Sequence, residues 1–294
     1  MSTYKNLLIC LDLTEMDSVL LRYARFLVQE LPEVEHVYFM HNIRFDFPEE
    51  AKALMAELDQ PLPDLIREEL EEQVLLNFLS GQEDAPGWDI LIENGESTAH
   101  TIADVVDKYD TQLTLFGKKL TYRGSGQVPE KLLRQPKFKC DLLILPETAP
   151  HRLSKILVPI DFSKASQRAL NKAWKLAQTE GASIVSQHVY YVPNHYFPFI
   201  PVQGFRKSIE SDARREYERY KKNLPRELQA VGCEFTYARD RTRAQTIYDF
   251  AISRNKDLIV MGSRGRNPIP TVLLGSTALQ VLQFDFHIPI LVVR

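Results

Sequence analysis

A chain of 294 residues is long enough for two domains of ordinary size. With 44% hydrophobic and 26% charged residues it has apolar material for real cores, which excludes a disordered chain, and a net charge of −3 gives no general attraction for nucleic acid or an anionic membrane. No stretch approaches the roughly 20 apolar residues of a membrane span, and the opening MSTYKNLLICLDLT carries no cleavage signature, so the expectation is a cytoplasmic protein with neither nucleic acid nor membrane as a partner.

In chain order, the first predicted element is a strand in NLLICLDLT (residues 6–14). A helix follows, on which Leu21, Ala24 and Leu27 share one face by their spacing of three. VYFMHNI around His41 reads as a second strand, residues 63–80 as a long helix and residues 88–93 as a strand. TLFG ending at Gly117 and CDLLIL from Cys140 complete the set, and Pro146, Pro150 and polar neighbours then interrupt the apolar pattern.

After that break the pattern repeats. KILVPIDFS (residues 155–163) matches residues 6–14 at a shift of 149, with Asp161 opposite Asp12, and Leu170, Ala173 and Leu176 fall opposite Leu21, Ala24 and Leu27 at the same shift. IVSQHVY around His188 resembles VYFMHNI, IVMG ending at Gly262 matches TLFG, and PILVV from Pro289 matches CDLLIL. Strands are predicted at 155–160, 183–190, 233–237, 257–261 and 289–293, alternating with helices at 164–179, 208–230, 243–254 and 275–283. Strands alternating with crossover helices imply a parallel sheet covered on both faces, and continuous apolar runs such as ILVPI and LIVM suit strands buried on both sides. The expected fold is therefore two tandem doubly wound α/β domains, residues 1–148 and 152–294, each a five-stranded parallel sheet. The apolar last strands, residues 142–145 and 290–293, would pair to hide their edges, giving an intramolecular pseudo-dimer. Cys10, Cys140 and Cys233 are far apart with no C-x-x-C pair, which argues against a disulfide framework or zinc site, and all three read as small buried residues.

In an open parallel sheet, ligands bind beyond the carboxyl ends of the strands where strand order reverses. Asp161 follows the first strand of the second copy, His188 and Val189 close the second, and a glycine-punctuated loop, Met261-Gly262-Ser263-Arg264-Gly265-Arg266-Asn267, follows the fourth. It leads to Gly275-Ser276-Thr277 at a helix start. Glycines admit close backbone approach and positive φ, and a helix N-terminus offers N–H groups and the positive end of its dipole. These are parts for a phosphate site, although glycines taken singly are as well explained by turns and a helix cap. Walker A and the dinucleotide G-x-G-x-x-G are both absent.

The complete spacing, G-x2-G-x9-G-[S/T] after an apolar strand with an aspartate ending the first strand in VPIDFS, resembles the ATP-binding members of the universal stress protein family. The chain looks like a tandem member, of a Rossmann-like fold akin to the adenine nucleotide alpha hydrolases. The resemblance implies that Ile160, Asp161 and the backbone of Val189 hold adenine and ribose. It assigns ribose and phosphates to Gly262 and Gly265 within the loop from Met261 through Ser263, Arg264, Arg266 and Asn267, with Gly275, Ser276 and Thr277. A divalent ion such as Mg2+ accompanies the phosphates in such relatives, and no dedicated set of carboxylates for it is visible. Relatives also dimerise, which adds a homodimer to the partners implied.

The first copy departs from this pattern. From Gly117 to Gly126 is 9 residues against 13 from Gly262 to Gly275, Leu120 stands at the second glycine, and Gln127 replaces the hydroxyl. Matching Gly124-Ser125 instead restores a hydroxyl and shortens the loop further. The first copy is therefore read as structural. Arg239, Arg241 and Arg243 either complement phosphate or lie in a solvated loop. His41 and His188 sit at equivalent strand ends and read as packing residues, having no evident nucleophile or carboxylate partner. The acidic run Glu68, Glu69, Glu71, Glu72 and the basic run Arg214, Arg215, Lys221, Lys222 read as solvated faces. Tyr190, Tyr191, Tyr196, Phe197 and Phe199 form either a lid or a contact surface. The leading function is an ATP-binding regulatory switch with at most slow hydrolysis. Against it stand an interaction protein with a vestigial loop and an ATP-consuming enzyme, the last disfavoured by the lack of paired carboxylates or a nucleophile with its base.

Overall fold

A computed structural model describes residues 4–44, 58–119, 128–192, 202–266, 274–284 and 287–294. The chain divides into two compact units, Met1–His151 and Arg152–Arg294. The first holds strands β1 (Asn6–Cys10), β2 (His36–Ile43), β3 (Gly87–Asn94), β4 (Leu113–Lys118) and β5 (Asp141–Pro146), with helices α1 (Glu15–Glu30), α2 (Leu62–Val74), α3 (Thr98–Lys108) and α4 (Val128–Leu133). Its strands are parallel and ordered β3-β2-β1-β4-β5.

The second unit repeats this plan with β6 (Lys155–Pro159), β7 (Ser183–Tyr190), β8 (Gly232–Tyr237), β9 (Leu258–Gly262) and β10 (Ile290–Val293). Its helices are α5 (Lys164–Glu180), α6 (Val202–Lys222), α7 (Arg243–Ser253) and α8 (Ser276–Gln283). The order is β8-β7-β6-β9-β10, again parallel. Each unit is thus a doubly wound sheet in which the chain runs outward from its first strand and crosses back to the fourth. The crevice of the second unit lies where β6 and β9 end side by side.

Burial explains why these segments form these elements. Unbroken apolar runs mark β6 and β9, where Ile156, Leu157, Val158, Ile259 and Val260 are fully covered, as strands with helices on both faces require. The repeated helix face is the buried one, with Leu21, Ala24 and Leu27 on α1 and Leu170, Ala173 and Leu176 on α5 all in their cores. The same backbone step recurs after each first strand, for Leu13 (φ 58°) and Phe162 (φ 64°) both adopt the left-handed conformation. That conformation is costly for a bulky side chain, so the fold imposes it twice.

Two predicted helices end differently. The helix expected over 208–230 begins at Val202 and stops at Lys222, and Pro225 opens a separate 3-10 turn at Arg226–Ala230. Proline lacks the N–H that would continue the ladder and pushes the residue before it out of the helical region. The helix expected over 63–80 passes after Val74 into a π-turn, Leu75–Leu79. Of the three cysteines only Cys140 is fully buried, while Cys10 and Cys233 are half-buried because each lies toward an end of its strand. Among the described residues no helix is long and apolar enough to cross a membrane, and no group of three or more His, Cys, Asp or Glu is placed to hold a metal.

Candidate functional site

At the carboxyl ends of β6, β7 and β9 lies a cavity of about 530 Å³, whose walls include Ile160, Asp161, Ser166, Gln187, His188 and Val189. Met261, Gly262, Arg264, Gly265, Arg266, Gly275, Ser276 and Thr277 close it from the loop side. Of the thirteen residues that the resemblance assigned to the nucleotide, all but Ser263 and Asn267 therefore meet around one space. Ser263 stands behind the wall, 2% exposed, and Asn267 lies outside the described residues, as do Leu120, Gly124, Ser125, Gly126, Gln127, Tyr196, Phe197 and Phe199.

Each wall has a local cause. Ile160 donates its N–H to the Gln187 carbonyl at 2.8 Å, continuing the β6 ladder by one residue. The left-handed turn at Phe162 then lays its ring on His188, with centroids 4.3 Å apart and 16° between planes. His188 Nδ1 lies 3.0 Å from the Ile160 carbonyl, and since that oxygen can only accept, Nδ1 carries the proton. Burial pushes this imidazole below its usual pKa, with Arg243 acting in the same direction against the hydrogen bond to Ile160. His41 Nδ1 makes the same 3.0 Å contact with the Leu11 carbonyl in the first unit, so the paired histidines fasten the second strand to the first. Asp161 is half-buried, and its Oδ1 accepts the Ser163 N–H at 3.2 Å where Ser163 caps α5.

The glycines serve different purposes. A Cβ on Gly262 would come within 2.9 Å of Ala165 backbone, so glycine lets the end of β9 lie against α5. Gly117 meets the side chain rather than the backbone of Met16, the residue opposite Ala165. A Cβ on Gly265 would sit 3.1 Å from Asp161 Oδ2, and on Gly275 only at ordinary contact distance. None of Gly262, Gly265 and Gly275 has positive φ, which occurs instead at Phe162. The loop is tied at its base, Ser263 donating its N–H to the Val293 carbonyl at 2.8 Å and Gly275 its own to the Ser263 carbonyl at 2.7 Å. Gly275 is the N-cap of α8 and gives it no side-chain cap, so the N–H groups of Ser276, Thr277 and Ala278 begin the helix without intrahelical acceptors, all three on the cavity wall. Of the three arginines after β8, Arg239 is exposed, Arg241 pairs with Asp249, and only Arg243 reaches the cavity, its guanidinium 5.3 Å over the Tyr191 ring. In the basic run, Arg214 and Arg215 pair with Glu210 and Asp212 on the same helix.

The corresponding place in the first unit is chemically different. Asp17, at the position of Ser166 by the 149 shift, is 4% exposed and accepts the N–H groups of Asp12 at 3.0 Å and Leu13 at 2.8 Å. Burial pushes its carboxyl up to about 6, the hydrogen bond from Asp12 N–H opposing and the Asp12 charge reinforcing. Between roughly pH 4 and 6 the folded chain therefore keeps a proton that the unfolded chain has released, so stability falls as pH rises through that window. Replacing Asp17 by Asn should remove about 2 kcal/mol of that fall. Urea titrations at pH 4.5 and 7 check it, and a stability difference between Asp17→Asn and wild type that is the same at both values would refute it.

Ser166 and Gln187 were not legible as site residues in one copy alone. Their signal lies between copies, where Asp17 and Met40 stand at the matching positions.

An α/β unit with a cavity at its strand-order reversal, lined by a post-strand aspartate, a glycine loop and an uncapped helix N-terminus, is a domain of the doubly wound class. The sequence model of the universal stress protein family matches residues 153–294. A universal stress protein of Methanocaldococcus jannaschii is 30% identical over 141 residues, 48% of this chain and 81% of that protein. One of Bacillus subtilis is 29% identical over 155 residues, 48% of this chain and 99% of its own. A universal stress protein structure from Archaeoglobus fulgidus shares the fold with a TM-score of 0.66 at 18% identity, over 99% of this chain and 98% of that one. The chain belongs to the universal stress protein family.

Proposed function

We propose that this chain is a cytoplasmic ATP-binding regulatory protein that takes one nucleotide in residues 152–294. The observation that carries the reading is the convergence of Asp161, Val189, the Gly262–Gly265 turn and the α8 amides on a single cavity of about 530 Å³, a size that suits a small-molecule ligand. The α8 N-terminus suits the anionic end, where N–H groups and the helix dipole act together. Asp161, whose Oδ2 lies beside Gly265, suits the ribose hydroxyls. Among the described residues of the cavity wall Asp161 is the one carboxylate, so a divalent ion would be held chiefly by the phosphates. His188 has its Nδ1 proton engaged by a carbonyl and, among the described residues, no carboxylate as a hydrogen-bond partner, which supports a switch over a catalyst.

Calorimetry of the intact chain with ATP and Mg2+ tests this. One site is expected, with affinity lowered about tenfold by Asp161→Ala, the worth of one hydrogen bond to a ribose hydroxyl, and unchanged by Asp12→Ala. An absence of binding would favour an interaction protein. Loss of binding through Asp12→Ala alone would assign the working site to the first unit.

A further inference from the structure

Gln187 is a polar residue in the interior of β7 with 0% exposure. Its Nε2 donates to Thr236 Oγ1 on β8 at 3.0 Å, which fixes the amide plane. Its Oε1 is buried and, among the described residues, has no hydrogen-bond partner. Gln187 also forms part of the wall of the cavity. A buried amide oxygen without a donor is destabilising, and native structures keep such groups chiefly where something else satisfies them. At the matching position the first unit has Met40, which precedes His41 as Gln187 precedes His188, and its own unpartnered amide oxygen among the described residues is Asn42 Oδ1, two residues further on. Met40 is buried at 2% exposure, so the fold itself accepts an apolar side chain at this place.

We infer that Gln187 is the residue that reads the base, its Oε1 accepting a hydrogen bond from the exocyclic amine of adenine. This rests on the nucleotide reading of the same cavity and adds to it a choice among purines. The carbonyl oxygen faces a donor when the purine carries an amine at C6. It faces another lone pair when that position is an oxo group, as in hypoxanthine and guanine, and two acceptors then meet without a proton between them. With Nε2 given to Thr236, the amide oxygen is the end left for the base. His188 and Val189, next along the strand, complete that end of the cavity.

ATP and inosine triphosphate differ only at the purine C6 edge and separate the possibilities. Calorimetry of the intact chain should show ATP bound roughly tenfold more tightly than inosine triphosphate. Gln187→Met should weaken ATP, relieve the repulsion felt by inosine triphosphate, and bring the ratio of the two affinities close to one. Its melting temperature should not fall, since the substitution installs the side chain already present at position 40 and removes an unpaired oxygen. A wild-type chain that binds both nucleotides equally, or prefers the inosine compound, overturns the base-reading role while leaving the nucleotide site standing. So does a Gln187→Met chain that keeps the wild-type ratio. A wild-type chain that binds neither overturns the nucleotide reading itself.

Discussion

Replacing Asp257 by Ala is expected to lower the stability of the chain by about 3–5 kcal/mol, the range for breaking a buried charged cluster from one side. Asp257 is 1% exposed and lies just before β9. Its Oδ2 accepts the N–H groups of Ser154 at 3.1 Å and Lys155 at 2.9 Å and the Ser154 hydroxyl at 2.8 Å. Its Oδ1 accepts Arg152 Nε at 2.9 Å. One carboxylate thus fastens the beginning of β6 to the beginning of β9, the two strands whose far ends frame the cavity. Without it, two backbone amides lose their acceptor in a covered place, and each such loss costs on the order of 1–3 kcal/mol. Arg152→Ala should cost much less than Asp257→Ala, because the arginine side chain is 58% exposed and its charge is screened. The first unit provides a neutral comparison, since Gln112 Oε1 accepts the N–H groups of Lys5 and Asn6, both at 2.9 Å. Gln112→Ala should cost about 1–2 kcal/mol, as an uncharged acceptor does. Urea unfolding of the three variants checks the ranking, and an Asp257→Ala loss no larger than that of Gln112→Ala would refute the account.

That clasp also illustrates what the sequence made legible. The repeat, the strand order and the place of the glycine loop follow from apolar runs and helical spacing, which local chemistry determines. Leu21 with Leu170 and Gly117 with Gly262 were visible because the same packing demand selects the same residue type twice. What sequence did not reveal depends on who meets whom across the sheet. Nothing local in SIVSQHVY says that the Gln187 amide nitrogen finds Thr236 two residues beyond its register partner on β8, Glu234, and leaves its oxygen bare. Nor does glycine content show which glycine serves a ligand. Gly262 answers to the backbone of α5, and the left-handed step that aims Asp161 falls on a phenylalanine with no turn signature.

Ser166→Asp is expected to weaken ATP binding about thirtyfold or more without unfolding the chain. The first unit supplies the precedent for its structure. There Asp17 reaches back from the first turn of α1 to the N–H groups of Asp12 and Leu13, across a backbone step with φ 58° at Leu13 that Phe162 repeats at 64°. In the second unit the N–H groups of Asp161 and Phe162 have no acceptor among the described residues. Ser166 is too short to reach them and instead donates to the Ser163 carbonyl at 2.9 Å. An aspartate there would make the same pair of hydrogen bonds, and melting temperature should hold. The consequence for a ligand is electrostatic, because Ser166 lies on the cavity wall with Asp161. A second carboxylate within about one Debye length of a phosphate charge, at an effective dielectric constant near 20, opposes it by on the order of 2 kcal/mol, or roughly thirtyfold in affinity. Ser166→Asn has the same shape without the charge and should stay within about threefold of wild type on that argument. Lowering the pH toward 5 should restore part of the Ser166→Asp affinity, since burial beside Asp12 already pushes Asp17 up to about 6. Calorimetry with ATP at pH 7.5 and 5.5 decides the matter. If Ser166→Asp binds ATP as wild type does, a carboxylate at this place is compatible with the ligand, and the difference between the units must be sought in their loops.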